Sequence, residues 1–460
     1  MREETWRLRA QDTVAAVRLA KQAAGRDGWS RDRLAAHQRD ALRALVAHAV
    51  SRSPFYRERF AEHCVGPDTP LEQLPVLDKA TMVAQLDRIV TDRRLRDAEL
   101  RAFLEREHGP VLYADAFRVL RTGGSSRVPG VFVYDRADWS AAVGNLLRWF
   151  DLAGIAPRLP RRRVATLLAP GAQHMASRMS ATIDIGLNRT LRLPVTAPVD
   201  ELVAALNRHR PDVLGGYPSM LARLAAEQLD GRLDIAPAKV LTSSEPRTPA
   251  MTERIREAWG VEPYDGYATT ESGGPLAADC EHHRGLHVFE DAAIVEVVDD
   301  RHRPVPDGTP GSRILVTNLH ARVQPIIRME VTDVVRVLPE PCACGRPHRL
   351  IAPVQGRTDD VLELPSVRGG TVTVHPMAFA PLGSVPGVRE FEVVQRPDGL
   401  HVRVVAPGGN GAPGGVLAAL RGALEPLGVA PEPQPRVEVV PAIARDASRA
   451  GKHKLVRAEL

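Results

Sequence analysis

Arg163-Val164-Ala165-Thr166-Leu167-Leu168, Val213-Leu214, Ala238-Lys239-Val240-Leu241-Thr242 and Glu262-Pro263-Tyr264 are short extended runs set between longer segments of helical apolar spacing. Helices are expected around 172 to 186, at 198 to 209, from Ser219 and at 248 to 259. Strand and helix therefore alternate, which predicts an α/β fold with a mostly parallel sheet covered by helices. Working outward, residues 4 to 65 read as helical with a break at Ser53-Pro54, and Val131-Phe132-Val133-Tyr134 reads as a strand before a helix over 136 to 151. Residues 286 to 337 are strand-rich, with a turn at Asp307-Gly308 and a strand at Arg313-Ile314-Leu315-Val316-Thr317. Beyond residue 360, Val388 to Gln395 and Leu400 to Ala406 bracket Pro397-Asp398-Gly399. A Gly/Pro-rich loop then leads into a helix and the strand Arg436 to Val440, a small α+β module.

The chain has 460 residues, 44% of them hydrophobic, enough for two or three domains with real cores. No long apolar run exists, and Met1-Arg2-Glu3-Glu4 opens no signal-peptide pattern, so a cytoplasmic location without a membrane partner is expected. The net charge of +5, from 61 basic and 56 acidic residues, is too mild for a nucleic-acid binder, and Arg161-Arg162-Arg163 reads as a solvated turn. With 4% aromatics, base-stacking platforms are also scarce. The basic N-terminal helices could pair with a second subunit as a homodimer.

Two segments carry chemistry. Thr122-Gly123-Gly124-Ser125-Ser126 is a glycine and hydroxyl loop whose backbone can approach a polyphosphate closely and offer neutral donors. Tyr264-Asp265-Gly266-Tyr267-Ala268-Thr269-Thr270-Glu271 adds a tyrosine that can stack on a purine, an acceptor for an exocyclic amine, a threonine for an α-phosphate and a carboxylate for magnesium. Together they read as a nucleotide site. Only five of the basic residues are lysines, and two lie in Gly451-Lys452-His453-Lys454 near the C-terminus. A compact ammonium suits that place if the tail is functional, and a solvated tail is the alternative.

The order and spacing of these segments resemble the adenylate-forming superfamily, which includes acyl-CoA synthetases, and within it the phenylacetate-CoA ligase branch. The resemblance runs from Leu42 to Val50 and Ser53-Pro54-Phe55-Tyr56-Arg57 through Leu74-Pro75-Val76-Leu77-Asp78-Lys79. It continues through Ser243-Ser244-Glu245-Pro246, Gln324 to Arg328 with Thr332-Asp333, Pro341 to Arg346, and Gly356-Arg357-Thr358-Asp359-Asp360. It implies a large N-terminal domain, residues 1–356, binding ATP and substrate behind a helical lead-in at 1–65. It further implies a hinge at 357–360 with Asp359 as pivot, and a mobile C-terminal domain at 361–460. Lys452 would reach the carboxylate and α-phosphate, with Lys454 as fallback; Thr270 would bind phosphate and Glu271 the Mg²⁺. Asp333 would hold the ribose hydroxyls with Arg357 in contact, and Tyr267 would stack on adenine. Ser243, Ser244 and Glu245 would line the base and acyl pocket, and Tyr217 and Pro218 its wall. The segments at Arg148-Trp149-Phe150 and Gln173-His174-Met175 could also line it, although His174 reads equally as an ordinary histidine.

Four cysteines in a chain of this kind argue against structural disulfides. Cys342 and Cys344 can place two thiolates on one ion, and Cys280 with His287 supplies a third sulfur and a nitrogen, a set suited to structural Zn²⁺. Reduced cysteines beside a surface histidine are the alternative. His282, His283 and His348 compete for the nitrogen position, and Cys64 reads as a buried small hydrophobe. Three departures from the branch stand out. Ser126-Arg127-Val128-Pro129 lacks the usual glycine and lysine, with Arg127 as the replacement at pyrophosphate; Ala268-Thr269-Thr270-Glu271 keeps only the last two residues of its motif. Arg368-Gly369-Gly370-Thr371-Val372-Thr373-Val374-His375-Pro376 differs from the loop that approaches CoA and resembles a subgroup that includes deazaflavin-cofactor adenylyltransferases. The expected activity is thus ATP-dependent activation of a small, aromatic or similar, carboxylic acid with transfer to CoA. The alternatives are an adenylating enzyme with another acceptor or an oxyanion substrate such as nitrite, and a non-catalytic relative that binds nucleotide or a partner protein.

Overall fold

The structure, a computed structural model, describes residues 2–3, 5–106, 109–122, 129–407, 411–445 and 450–459. Three helices open it: α1 (Trp6–Ala24), α2 (Arg31–Arg52) and α3 (Pro54–Glu62). Each starts where a hydroxyl can replace a missing helical acceptor: Thr5, Ser30 and Ser53 accept from the N–H groups of Leu8, Arg33 and Tyr56. After α4 (Arg136–Leu152) the alternating region follows as β1 (Arg163–Leu168), α5 (Met175–Thr182), β2 (Arg189–Pro194), α6 (Val199–His209) and β3 (Val213–Gly216). It ends with α7 (Pro218–Leu229), β4 (Lys239–Ser243), α8 (Pro249–Trp259) and β5 (Tyr264–Thr269).

The antiparallel strands β6 (Gly274–Asp279) and β7 (Leu286–Val288) extend this sheet. A separate three-stranded sheet is formed by β8 (Ala293–Val298), β9 (Arg313–Asn318) and β10 (Met329–Val331), while β11 (Val337–Leu338) and β12 (Leu350–Ile351) return to the first. The large sheet is nine-stranded, in the order β11-β12-β7-β6-β5-β4-β3-β1-β2. Only β5 to β2 are mutually parallel. The alternating region thus forms the parallel part of the sheet as expected, and the tight turn after Thr269 sends β6 back antiparallel beside β5.

Side chains alternate across the parallel half. Ala165, Leu167, Leu214 and Val240 pack on Leu206 of α6, Leu221 and Leu224 of α7 and Ile255 of α8. Each fully buried leucine or valine there contributes about 1.5–3 kcal/mol. Val164, Val213 and Leu241 face the other way, toward Leu146 and Trp149 of α4 and Met179 of α5. Register aligns Leu167 with Gly216, Gly216 with Thr242, and Ser243 with Gly266, so the carboxyl ends lie side by side. Strands β1 and β3 are neighbours, β2 lies outside β1, and the connections diverge there. That is the switch point at which open α/β sheets bind ligands.

Residues beyond 361 build their own core around Phe379, Val393, Val402, Val416 and Leu420. A four-stranded sheet there carries helix α9 (Ala412–Leu424). Arg254 of α8 donates to the carbonyls of Val388 and Arg389 and joins this core to the large sheet.

Several expectations shift. The helix expected over 172 to 186 is confined to Met175–Thr182, and β2 was not anticipated, although Arg189-Thr190-Leu191-Arg192-Leu193 alternates as an edge strand should. The strand placed at Glu262-Pro263-Tyr264 begins only at Tyr264, since Pro263 has no N–H to give a ladder, and the motif behind it becomes the strand. Cys64 is exposed, not buried, because it sits past the end of α3 with a left-handed backbone. No helix among the described residues is long and apolar enough to cross a membrane.

Candidate active site

A polar cleft of about 200 Å³ opens at the carboxyl ends of β4 and β5. Its base is the motif on β5. Tyr267 donates from its hydroxyl to Asp333 at 2.6 Å, and the Arg357 guanidinium donates to the other oxygen of the same carboxylate at 2.9 Å. Burial, then the Asp333 charge, raises the Tyr267 hydroxyl well above the ordinary phenol range, so it remains a donor. Arg357 is held opposite Asp333 by a backbone bridge, while Thr332 donates from its hydroxyl to Asp359 at 2.8 Å. Asp265 is buried, accepts from the Thr242 hydroxyl at 3.0 Å and lies 4.0 Å from Arg247; burial raises its pKa and Arg247 opposes the shift.

Gly266 also lines the cleft. A Cβ there would lie 2.7 Å from the Trp149 indole, so the missing side chain lets the ring of α4 pack against β5.

Thr270 and Glu271 project from a stiff turn. Ser272 and Thr269 exchange hydrogen bonds between side chains and backbone, Asn318 donates to the Ser272 carbonyl at 2.9 Å, and the Tyr134 hydroxyl donates to the Thr270 carbonyl at 2.7 Å. Glu271 lines the cleft and accepts no hydrogen bond among the described residues, although the charges of Lys79, Arg357 and Lys452 act on it. An oxygen ligand for a hard cation fits this position.

The C-terminal lysines separate clearly. Lys452 lines the cleft, and its pKa is lowered by desolvation and by Arg357 against the pull of Glu245, Asp333 and Glu271. Lys454 also lines the cleft but is paired there with Asp360 at 2.5 Å. The tail is pinned on both sides of Lys452: Tyr217 donates to the Ala450 carbonyl at 3.1 Å, and the His453 N–H donates to Glu245. Gly451 has φ +72°, and a Cβ there would approach Val195 to 2.3 Å, so no other residue fits before the lysine. Glu245 also takes the Ser219 hydroxyl, and Ser244 ends β4 at φ +75°, the left-handed strain that clusters at working sites.

Behind Lys452 the cleft continues into an apolar chamber of about 460 Å³, sharing Ser244, Ala268, Thr269 and Thr270 with it. Ser243, Tyr217 and His174 line the chamber, the last pushed down to about 4 by burial and by the Arg121 and Lys452 charges. Other placements depart from the expectations. Tyr264 turns to the opposite side, accepting from Lys239 at 3.0 Å with His283 against its ring, because strand alternation gives the cleft to Asp265 and Tyr267. Pro218 starts α7 and does not line the chamber. Pro246 lies in the cleft wall, as does Thr122, whose hydroxyl accepts from Gly130 N–H. Gly123, Gly124, Ser125, Ser126 and Arg127 lie outside the described residues. Among the cleft residues given no role from sequence are Lys79 and Arg247. Lys79 was signalled by the scarcity of lysines, whereas nothing local distinguishes Arg247 from many other arginines.

At the far end of the sheet, Cys280, His287, Cys342 and Cys344 converge with all ligand atoms within 4.8 Å of one another. Cys280 Sγ lies 3.7 Å from Cys342 Sγ, and Cys344 Sγ lies 3.4 Å from His287 Nε2. These are the edge lengths of a tetrahedron with metal–sulfur bonds of about 2.3 Å. Two of the competing histidines are engaged elsewhere, His283 with Asp279 at 2.6 Å and His348 with Arg148 at 2.7 Å, and His282 is not part of the cluster.

Comparison with known proteins agrees with this geometry. The family described as AMP-binding enzyme matches residues 165–318. Phenylacetate-coenzyme A ligase of Thermus thermophilus is 29% identical over 388 residues, 80% of each chain, and that of Pseudomonas putida 27% over 342 residues, 72% of each. A crystal structure of 2-hydroxyisobutyryl-CoA ligase in the postadenylation state matches at TM-score 0.72 and 24% identity, covering 91% of this chain and 88% of that one. The same ligase in its thioesterification state matches at 0.61. Residues 165–318 thus match the AMP-binding enzyme family, and over most of its length the chain is similar to phenylacetate-coenzyme A ligases and shares its fold with a 2-hydroxyisobutyryl-CoA ligase.

Proposed function

We propose that this enzyme activates an aromatic carboxylic acid with ATP, forming an acyl-adenylate and pyrophosphate, and then transfers the acyl group to CoA. The observation that carries the reading is the position of Lys452, where a polar cleft meets an apolar chamber. An acid in the chamber would present its carboxylate to the α-phosphorus of a nucleotide in the cleft. The carboxylate oxygen forms the new P–O bond and pyrophosphate leaves. Lys452 and Thr270 would stabilise charge on the α-phosphate, an effect of positioning and electrostatics without proton transfer. Asp333, held by Tyr267 and Arg357, would accept from the ribose hydroxyls, and the Tyr267 ring would lie against adenine. Glu271 would hold Mg²⁺, which supplies charge neutralisation at the phosphates.

In this reading residues 1–356 bind ATP and acid, 357–360 form a hinge about Asp359, and 361–460 form a lid that delivers Lys452. The closer likeness to a postadenylation state supports a lid posed for the first step. Cys280, His287, Cys342 and Cys344 would hold a structural Zn²⁺ that ties the turn between β11 and β12 to β6 and β7.

A second reading keeps the adenylation and changes the acceptor. The segment 368–376 supports it, since Thr371–Val374 here is a hairpin strand with Leu362–Pro365 and the loop lacks the CoA-approaching pattern. AMP and pyrophosphate formation across a panel of aryl and aliphatic acids and nitrite, with and without CoA, tests both readings. CoA-dependent AMP release with an acid is expected, and turnover without CoA would favour the second acceptor.

A further inference from the structure

The chamber is large for the acids that name the relatives. A cavity of about 150 Å³ holds one benzene ring, whereas this one measures about 460 Å³. Its walls are apolar, with Trp149 and Phe150 of α4, Met175 and Met179 of α5, and Leu241 on the sheet. The depth comes from Gly215 on β3. A Cβ there would meet Thr166 and Leu241 only at 3.7 and 3.8 Å, ordinary contact, so the residue leaves space without being sterically compelled to be glycine. Gly216, one residue on, faces the packed side and has Leu167 atoms at 3.0 and 3.1 Å from its would-be Cβ.

The outer wall is fixed in place. Helix α1 gives Thr13, Val17, Ala20 and Ala24 to the chamber, all small. It is tied to the end of α5 by three bonds: Trp6 to the Ile185 carbonyl, Arg9 to the Ala181 carbonyl and Thr13 to the Thr182 carbonyl. It also lies against Gly144 of α4, where a Cβ would come within 3.3 Å of Ala16 and Leu19. A wall held at this many points does not collapse onto a one-ring ligand. Of the charged groups in the wall, Arg148 is consumed by Asp27 and Asp291, Lys21 and Asp151 are exposed at the rim, and Arg121 and Lys452 both act on His174, at the end where a carboxylate would sit.

We infer that the acid activated here is an uncharged-tailed, apolar acid about two rings in size, its carboxylate at Lys452 and its tail running between Gly215 and α1. The inference rests on the proposed adenylation. The test is ATP–pyrophosphate exchange, which needs no CoA, with benzoate and phenylacetate against 2-naphthoate and biphenyl-4-carboxylate. The two-ring acids are expected to exceed the one-ring acids at least about tenfold in kcat/KM, the range that differential burial of apolar groups supplies. Gly215→Leu is expected to lower that ratio about tenfold or more, and Gly215→Ala by less. Val17→Phe shrinks the chamber from the opposite wall and carries the test if the leucine variant does not fold. One-ring acids equal to or better than two-ring acids, with a ratio unmoved by the variants, would overturn the inference while leaving adenylation standing. Exchange with no acid at all would remove the adenylation reading itself.

Discussion

The cleft and the chamber share Ser244, Thr270 and Lys452, yet they are made in opposite ways. The cleft is built of side chains that hold one another: Tyr267 and Arg357 on Asp333, Thr332 on Asp359, Asp360 on Lys454. The chamber is built of space left by Gly215 and closed by a helix almost 200 residues away in sequence, as the Trp6 to Ile185 bond shows, |i−j| = 179. The difference teaches where chemistry and selectivity reside. Charge placement at the ends of neighbouring strands needs short local motifs, while the shape of a cavity depends on elements that meet only in the folded chain.

If the comparison holds, changes on the two sides should affect different constants. The largest effect is expected at the junction: Lys452→Ala should lower pyrophosphate exchange by about 100-fold or more, the loss typical of one transition-state donor. An exchange rate near wild type would break the junction argument. Gly451→Ala should lose about tenfold or more in the same assay, because a left-handed backbone and the Val195 contact both resist a methyl group and displace Lys452. Asp333→Asn should raise the KM for ATP about tenfold with the KM for acid little changed, as expected where one charged hydrogen bond to the ligand is weakened. The converse split would place the nucleotide on the chamber side.

Away from both cavities, Cys344→Ser should reduce bound zinc, measured by elemental analysis, and lower the unfolding temperature; unchanged metal content would refute the metal reading. The smallest effect concerns pH. Burial pushes His174 and His320 down to about 4 and His453 to about 3, each below the exposed imidazole. The unfolded chain therefore binds more protons between these values and about 6.5, so their contribution is complete above about pH 6.5 and is lost as pH falls toward 4. Thermal unfolding against pH should show this loss, reduced in His174→Gln. A flat profile across that window would contradict the burial of neutral imidazoles.

Legibility followed the same division. Lys452, Glu271, Asp333 and Arg357 could be named because each sits in a short pattern, and the fold brings them to one cleft. Tyr264 was taken with the nucleotide motif as a whole, and once β5 starts at Tyr264 alternation turns it away from the cleft toward Lys239. Gly266 lines the cleft as part of its motif, but it is also the seat of Trp149, a contact from 117 residues upstream that no local pattern encodes.

The sequence by itself determined the α/β alternation, the order of the polar motifs and the choice among five lysines, because hydrophobic period and residue chemistry act over a few neighbours. Only the tertiary structure decided that Lys452 also reaches the chamber while Lys454 pairs with Asp360, which histidine joins the three cysteines and how much room lies behind Lys452. Those outcomes depend on register, backbone handedness at Gly451 and the docking of α1, and each arises from contacts between residues far apart in the chain.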